Sequence, residues 1–317
     1  MFLDPDKPNM GLGKKFLNIV RQAVYGLYDE ARYASRARVL SSGRRLGRWL
    51  RDTLAMTDIR YVTQDVLEDY GHYIAELVDF DEISHKHGTN LISDVNGLID
   101  ALLGKGIAWI APADFLGKRS YVRTDIPLGY DWADVSEAAH LLAEKGFHRE
   151  GLVLCLARKI GMRCKEALLQ DYHLLLFQAK TLGMIAITKG TKGGRGKYIE
   201  RWVPVDDITI MLLEHAALLQ GDWKSLVPRK LSLVKYRAKF YRAYNPVRDF
   251  VGLGRVHDLR AAYACERYYQ ITGYDAPVVA GERTASKEDD RNAREIISRE
   301  LGHGRTCVLA NYIGSAR

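Results

Sequence analysis

A break in helical periodicity is the feature that most constrains this chain. From Lys14 to about Leu103, apolar and charged residues recur at helical spacing with very little strand signal. Between Gly104 and Tyr130 the glycines, the prolines and the charged stretch GKRSYVRTD remove any period. A chain of 317 residues, 47% of them hydrophobic, is long enough to bury two cores rather than one. The sequence therefore predicts a helical domain over 1–111, a linker over 112–130 and a second domain over 131–317.

The second domain opens with helices predicted over 134–146 and 149–160, and Gly161 suits a helix C-cap. After a short helix around Glu166, the segments YHLLLFQ, MIAIT and YIERWVPV read as three short strands joined by glycine-containing turns. Helix resumes over 207–220, where Ile208, Met211, Leu212, His215, Ala216 and Leu219 recur at helical spacing. On that pattern His215 is a core residue, not a ligand. The fold class is mainly α with a small antiparallel β-sheet, an N-terminal helical domain preceding an α+β domain.

The formal net charge of +8 favours a polyanionic partner without separating nucleic acid from an anionic membrane surface. Its distribution says more. Residues 11–60 hold eleven Lys or Arg against four acids, while residues 61–100 hold nine acids against the single base Lys86. A helical bundle so divided has one basic side, with Arg44, Arg45 and Arg48 among its members, as expected where one side meets phosphates. Two solvated helix faces are the alternative. From Arg229 to Arg248, seven basic residues occur among Tyr236, Phe240, Tyr241 and Tyr244. That interleaving fits a helix along a phosphate backbone or an amphipathic surface helix.

No run of about 18 apolar residues is present to span a bilayer, and the start MFLDPDKPNM has no signal-peptide character, so a cytoplasmic, nucleoid-associated location without a membrane partner is expected. The four cysteines form no C-x-x-C pair and are read as reduced, mostly buried thiols. His85-Lys86-His87 is read as a solvated loop, and neither a metal nor a cofactor is expected.

Five elements of the second domain carry the chemistry. In order they are Arg163-Cys-Lys-Glu166, the lysine-rich hairpin KGTKGGRGK, His257-Asp-Leu-Arg260, Leu301-Gly-His303 and Tyr312, which stands nine residues after His303. Each is common alone, but their joint order is not. Taken together they resemble the catalytic domain of the tyrosine recombinase, or phage integrase, family. The resemblance covers about residues 130–317 by motif; the N-terminal half matches the family's core-binding domain only in helical character and position.

That resemblance implies a site-specific DNA recombinase, the integrase of a mobile element, working on double-stranded DNA sites as a homo-tetramer on synapsed DNA. It implies strand breakage and rejoining through a 3′-phosphotyrosyl intermediate without metal or ATP. Tyr312 would be the nucleophile, Arg163 and Arg260 the clamp on the phosphate, and Glu166 the carboxylate that orients a guanidinium or a histidine. His257 would assist the nucleophile and His303 would hydrogen-bond the phosphate. A hairpin lysine would protonate the leaving 5′ oxygen: Lys192, directly before Gly193-Gly194, is favoured over Lys189. Lys189, Arg195 and Lys197 would contact DNA.

The residue types suit the task. Arginine stays protonated and its planar fork holds two nonbridging oxygens at once. A phenol ordinarily titrates near 10, so a tyrosine nucleophile needs cationic neighbours. Two features depart from the family. Arg260 and His303 are 43 residues apart, longer than usual, with the excess in GERTASKEDDRNARE, read as an inserted loop and helix start. Five residues follow Tyr312, where many relatives carry a further helix that docks on a neighbouring protomer. Two other readings are a DNA-binding regulator on a decayed recombinase scaffold, which the full residue set disfavours, and a relative of the type IB topoisomerases.

Overall fold

The computed structural model describes residues 4–13, 15–28, 32–118, 120–191 and 200–316. The chain divides after Ser120 into two compact units, and no helix among the described residues is long and apolar enough to cross a membrane.

The first unit comprises α1 (Phe16–Leu27), α2 (Tyr33–Leu54), α3 (Gln64–Asp79), α4 (His85–Leu103) and α5 (Pro112–Leu116). Thr63 and Ser84 cap α3 and α4, each side chain accepting a backbone N–H of the first turn. Helix α1 lies close against α2 because Gly43 and Gly47 stand one turn apart. A Cβ would fall 2.4 Å from Val20 Cγ1 at Gly43 and 2.3 Å from Phe16 Cδ1 at Gly47. Val24, Leu46, Leu50, Leu67, Ile74, Ile92 and Ile99 fill the core. On α2, Arg44 and Arg48 are exposed and Arg45 is half-buried, whereas Arg38 pairs with the buried Asp94.

Two expectations change here. His85-Lys86-His87 forms the first turn of α4, and His85 Nε2 is 2.7 Å from the carbonyl oxygen of Leu116. The segment 112–116, read as linker, is α5, whose Phe115 and Leu116 pack against the core. Pro112 at its start and Gly117 beyond its end break the apolar period, but they mark the ends of a helix and not of a domain.

The second unit runs α6 (Trp132–Glu144), α7 (His148–Ile160), α8 (Cys164–Leu169), α9 (Tyr172–Leu182), β1 (Met184–Ala186), β2 (Trp202–Pro204), α10 (Asp207–Gln220), α11 (Leu233–Val251), α12 (Val256–Thr272), α13 (Pro277–Ala280), α14 (Lys287–Glu300) and α15 (Ala310–Ile313). Helix α7 is its axis. Residues 151–157 are buried on every side, as a helix apolar all round must be. Gly151 lets α6 cross it, since a Cβ there would sit 2.7 Å from the carbonyl oxygen of Ala139. Gly161, in the left-handed region at φ 62°, ends α7 and turns the chain directly into Arg163.

The sheet among the described residues has two strands, not three, paired antiparallel with Ile185 opposite Val203. YHLLLFQ is helical: Asp171 caps α9 by accepting from the Leu174 N–H, and Tyr172, Leu175 and Ala179 form its buried face. A short apolar run bounded by turn residues has no period that separates strand from buried helix. In α10 the buried face is Thr209, Leu213, Ala216, Ala217 and Gln220, so His215, Ile208 and Met211 are exposed and the core reading of His215 is corrected. The predicted stripe is offset from the true one because an apolar residue on a helix need not face inward. Helix α11 buries Tyr236, Phe240 and Tyr244, turning Arg237, Lys239 and Arg242 outward. Most of the charged insertion is α14, which packs on α12 and buries Ala293 and Ile297.

Candidate active site

The site grows from one buried carboxylate. Glu166 occupies the third position of α8, where its Oε2 accepts the Arg163 N–H at 2.7 Å and so satisfies an orphan donor of the helix start. The same carboxylate pairs with the Arg163 guanidinium through Oε1, with Arg201 NH1 at 2.6 Å, and with Arg260 NH1 at 3.6 Å. Burial alone would raise its pKa, but Arg201, Arg260 and Arg163 outweigh it and hold the carboxyl below its ordinary range. Three guanidinium groups facing one carboxylate leave a surplus of positive charge.

Arg201 and Arg260 are fixed by backbone. Arg201 donates to the carbonyls of Glu300, at 2.5 Å, and Gly161, at 2.9 Å. Arg260, wholly buried on the first turns of α12, donates to the carbonyls of Gly161 and Leu301. Its Nε has no partner among the described residues. Burial, then Arg201 and Arg163, push its pKa down to about 9, which leaves it charged at neutral pH.

His303 lies between Arg260 and Tyr312. Its Nε2 is 3.4 Å from Arg260 NH2 and 3.1 Å from the Tyr312 hydroxyl. A guanidinium only donates, so Nε2 carries the lone pair and the tyrosine hydroxyl donates to it. Burial and Arg260 push the His303 pKa down to about 3. His257, at the start of α12, is exposed as a residue, and partial burial of its ring together with Arg260 lowers its pKa in the same direction. Its ring centroid is 5.2 Å from that of Tyr312, and the Arg260 guanidinium carbon is 5.8 Å from the centre of the same ring. Tyr312 is 3% exposed.

Helix α15, which carries Tyr312, is held on both sides. Upstream, the Arg123 N–H donates to the Ala310 carbonyl at 2.8 Å. Downstream, Arg294, paired with buried Asp290, donates to the carbonyls of Gly314 and Ser315 at 3.2 and 2.9 Å. The charged insertion thus supplies an anchor for the residues after Tyr312.

A cavity of about 270 Å³ opens beside these groups, lined by Arg163, Lys165, Gly190, Arg237, His257 and Arg260 among others. Lys189, next to Gly190, is exposed, and its backbone is pinned by Gln170, whose Nε2 donates to the Lys189 carbonyl at 2.6 Å. Lys192, Arg195 and Lys197 lie outside the described residues. Arg163, Glu166, His257, Arg260, His303 and Tyr312 are brought together, while Arg44, Arg45 and Arg48 belong to the first unit.

Three participants are missed by sequence reasoning. Arg201 stands one residue before β2, two residues from the buried Val203 and on the same side of the chain, and an arginine in register with an inward-facing apolar residue is the signal that marks it. Arg237 is a basic residue with no local distinction. Arg123 stands in a stretch that reads as linker.

No family model and no curated protein matches the chain. Among solved structures, the Tn1549 transposon integrase in complex with circular intermediate DNA superposes with a TM-score of 0.60, over 96% of this chain and 97% of that one, at 13% identity. Lambda integrase bound to DNA gives 0.59, over 94% and 96%, at 14% identity. The chain has the fold of the tyrosine recombinase integrases, mainly helical with a small antiparallel sheet, as the motif resemblance implied.

Proposed function

We propose that this protein is a site-specific DNA recombinase of the integrase type, breaking and rejoining duplex DNA through Tyr312. The observation that carries the reading is the 3.1 Å contact between the Tyr312 hydroxyl and His303 Nε2, beside three guanidinium groups that share one carboxylate. A phosphodiester in the cavity would meet Arg163 and Arg260, which neutralise charge on its nonbridging oxygens as five-coordinate phosphorus forms. The Tyr312 oxygen attacks phosphorus while its proton passes to an imidazole of the site, His257 as the resemblance implies or His303, whose basicity the negative charge of the bound phosphate would raise. The bond to the 5′ oxygen breaks, and that oxygen takes a proton from Lys192 or Lys189. The product is a 3′-phosphotyrosine and a free 5′-hydroxyl; attack by the 5′-hydroxyl of a second strand reverses the steps and needs no ATP. DNA recombination sites joined by a homo-tetramer belong to the same reading.

The deciding experiment incubates the chain with random-sequence duplexes carrying scattered nicks, from which the short strand released on cleavage diffuses away. A covalent protein–DNA adduct is expected on denaturing gels and is expected to vanish in Tyr312→Phe. An adduct surviving in that variant would remove Tyr312 from the role, and no adduct with the unaltered chain would favour a non-catalytic DNA-binding protein. Strand exchange between two sites, rather than relaxation of one duplex, separates the recombinase from a topoisomerase.

A further inference from the structure

Arg123 is the third residue after the division at Ser120, in a stretch whose composition reads as connecting chain. It makes contacts that a connector has no reason to make. Its N–H donates to the Ala310 carbonyl at 2.8 Å and its Nε to the Asn311 carbonyl at 3.4 Å, both on the helix that carries Tyr312. The other side of the guanidinium reaches Asp258 Oδ1 at 2.6 Å. Asp258 in turn uses Oδ2 to accept the Arg255 N–H at 2.9 Å, capping the start of α12, the helix of His257 and Arg260. One arginine therefore ties the backbone beside the nucleophile to the first turn of the helix that supplies the phosphate-binding groups.

We infer that Arg123 is a positioning residue for strand cleavage, setting the Tyr312 hydroxyl in register with His257 and Arg260. The inference rests on the reading of Tyr312 as the nucleophile. Helix α15 spans only Ala310–Ile313, too short to hold its own orientation, so its position depends on the carbonyls that others grip. The Arg123–Asp258 pair is partly exposed, at 18% and 26%, so solvent screens part of its attraction. Its worth lies in alignment, where a displacement of about 1 Å costs on the order of a hundredfold in rate.

The test uses the full chain and the nicked random-sequence duplexes. Arg123→Gln removes the charge and keeps reach; Arg123→Lys keeps the ion pair with Asp258 and loses the fork. Affinity is read in the Tyr312→Phe background, the adduct rate at saturating DNA, and folding by thermal unfolding. For Arg123→Gln the adduct rate is expected to fall between about tenfold and a hundredfold, with affinity and unfolding midpoint unchanged, and Arg123→Lys is expected to recover part of the rate. If Arg123→Gln does not fold, amide hydrogen exchange in Arg123→Lys decides, with faster exchange confined to 310–313 expected. A wild-type rate in Arg123→Gln, a loss explained by weaker DNA binding, or unchanged exchange at 310–313 would overturn the inference. No adduct from the unaltered chain would instead overturn the reading of Tyr312, and the inference with it.

Discussion

His303 Nε2 stands 3.1 Å from the Tyr312 hydroxyl and 3.4 Å from Arg260 NH2. His257 instead lays its ring 5.2 Å from the tyrosine ring, without a hydrogen bond to the phenol oxygen among the described residues. The two histidines thus meet Tyr312 in different ways, one at the hydroxyl and one at the ring. His303→Gln, which cannot take the proton, is accordingly expected to slow adduct formation by about a hundredfold or more, within the range of a lost general base. His257→Gln should cost less. Single-turnover adduct formation compares them, and a larger loss in His257→Gln would return the base role to that residue.

Arg163→Ala and Arg260→Ala should each slow cleavage by at least about a hundredfold, the usual consequence of losing one donor to developing negative charge. Arg260→Ala should also lower stability, since its guanidinium ties together the carbonyls of Gly161 and Leu301. Arg163, more exposed at 21%, should show the catalytic loss with little change in the unfolding midpoint. Full cleavage by either variant would contradict the clamp.

Glu166→Gln leaves Arg163, Arg201 and Arg260 without their shared counter-charge. Breaking a buried pair by removing one partner costs about 3–5 kcal/mol, so denaturant unfolding should show a loss of that order. A change below about 1 kcal/mol, the scale of an exposed pair, would mean that the three guanidinium groups are not organised by Glu166.

Acid should weaken the fold through His303. An ordinary imidazole takes its proton near 6.5, whereas His303 in the fold resists it down to about 3. Below 6.5 the unfolded chain therefore binds more protons than the folded one, and the stability that is complete above 6.5 is lost progressively as pH falls toward 3. His303→Gln removes that component, so its unfolding midpoint should fall less steeply between pH 6.5 and 4 than that of the unaltered chain. Equal slopes would show that His303 titrates normally.

Adduct formation should proceed at full rate in EDTA, because the guanidinium groups of Arg163 and Arg260 supply the positive charge that a divalent ion supplies elsewhere. A strict requirement for Mg²⁺ in single-turnover cleavage would overturn this division of labour.

That Arg163, Glu166, Arg260, His303 and Tyr312 lie near one another is legible because each belongs to a short motif and the motifs keep their order along the chain, even though 43 residues separate Arg260 from His303 in sequence. What was not legible depends on contacts between distant segments. Arg201 reaches Glu166 across 35 residues and Arg123 reaches Asp258 across 135, and neither has a local pattern that names its partner. YHLLLFQ, which opens α9, reads as a strand for a different reason: three consecutive leucines between turn residues satisfy both periodicities, and the Asp171 cap, which decides the matter, is one residue outside the run.

The Nε of Arg260, without a partner among the described residues, and the one described carboxylate that Arg163, Arg201 and Arg260 share have a practical consequence at the bench. Positive charge in excess at the site predicts that phosphate or sulfate in a buffer competes there with a DNA phosphate. Such ions would raise the unfolding midpoint and lower the apparent affinity for duplex at the same time, more than chloride of equal ionic strength. Affinities measured in phosphate and in chloride would then differ by the occupancy of one pocket, so a comparison of the two buffers weighs that pocket apart from the rest of the basic surface.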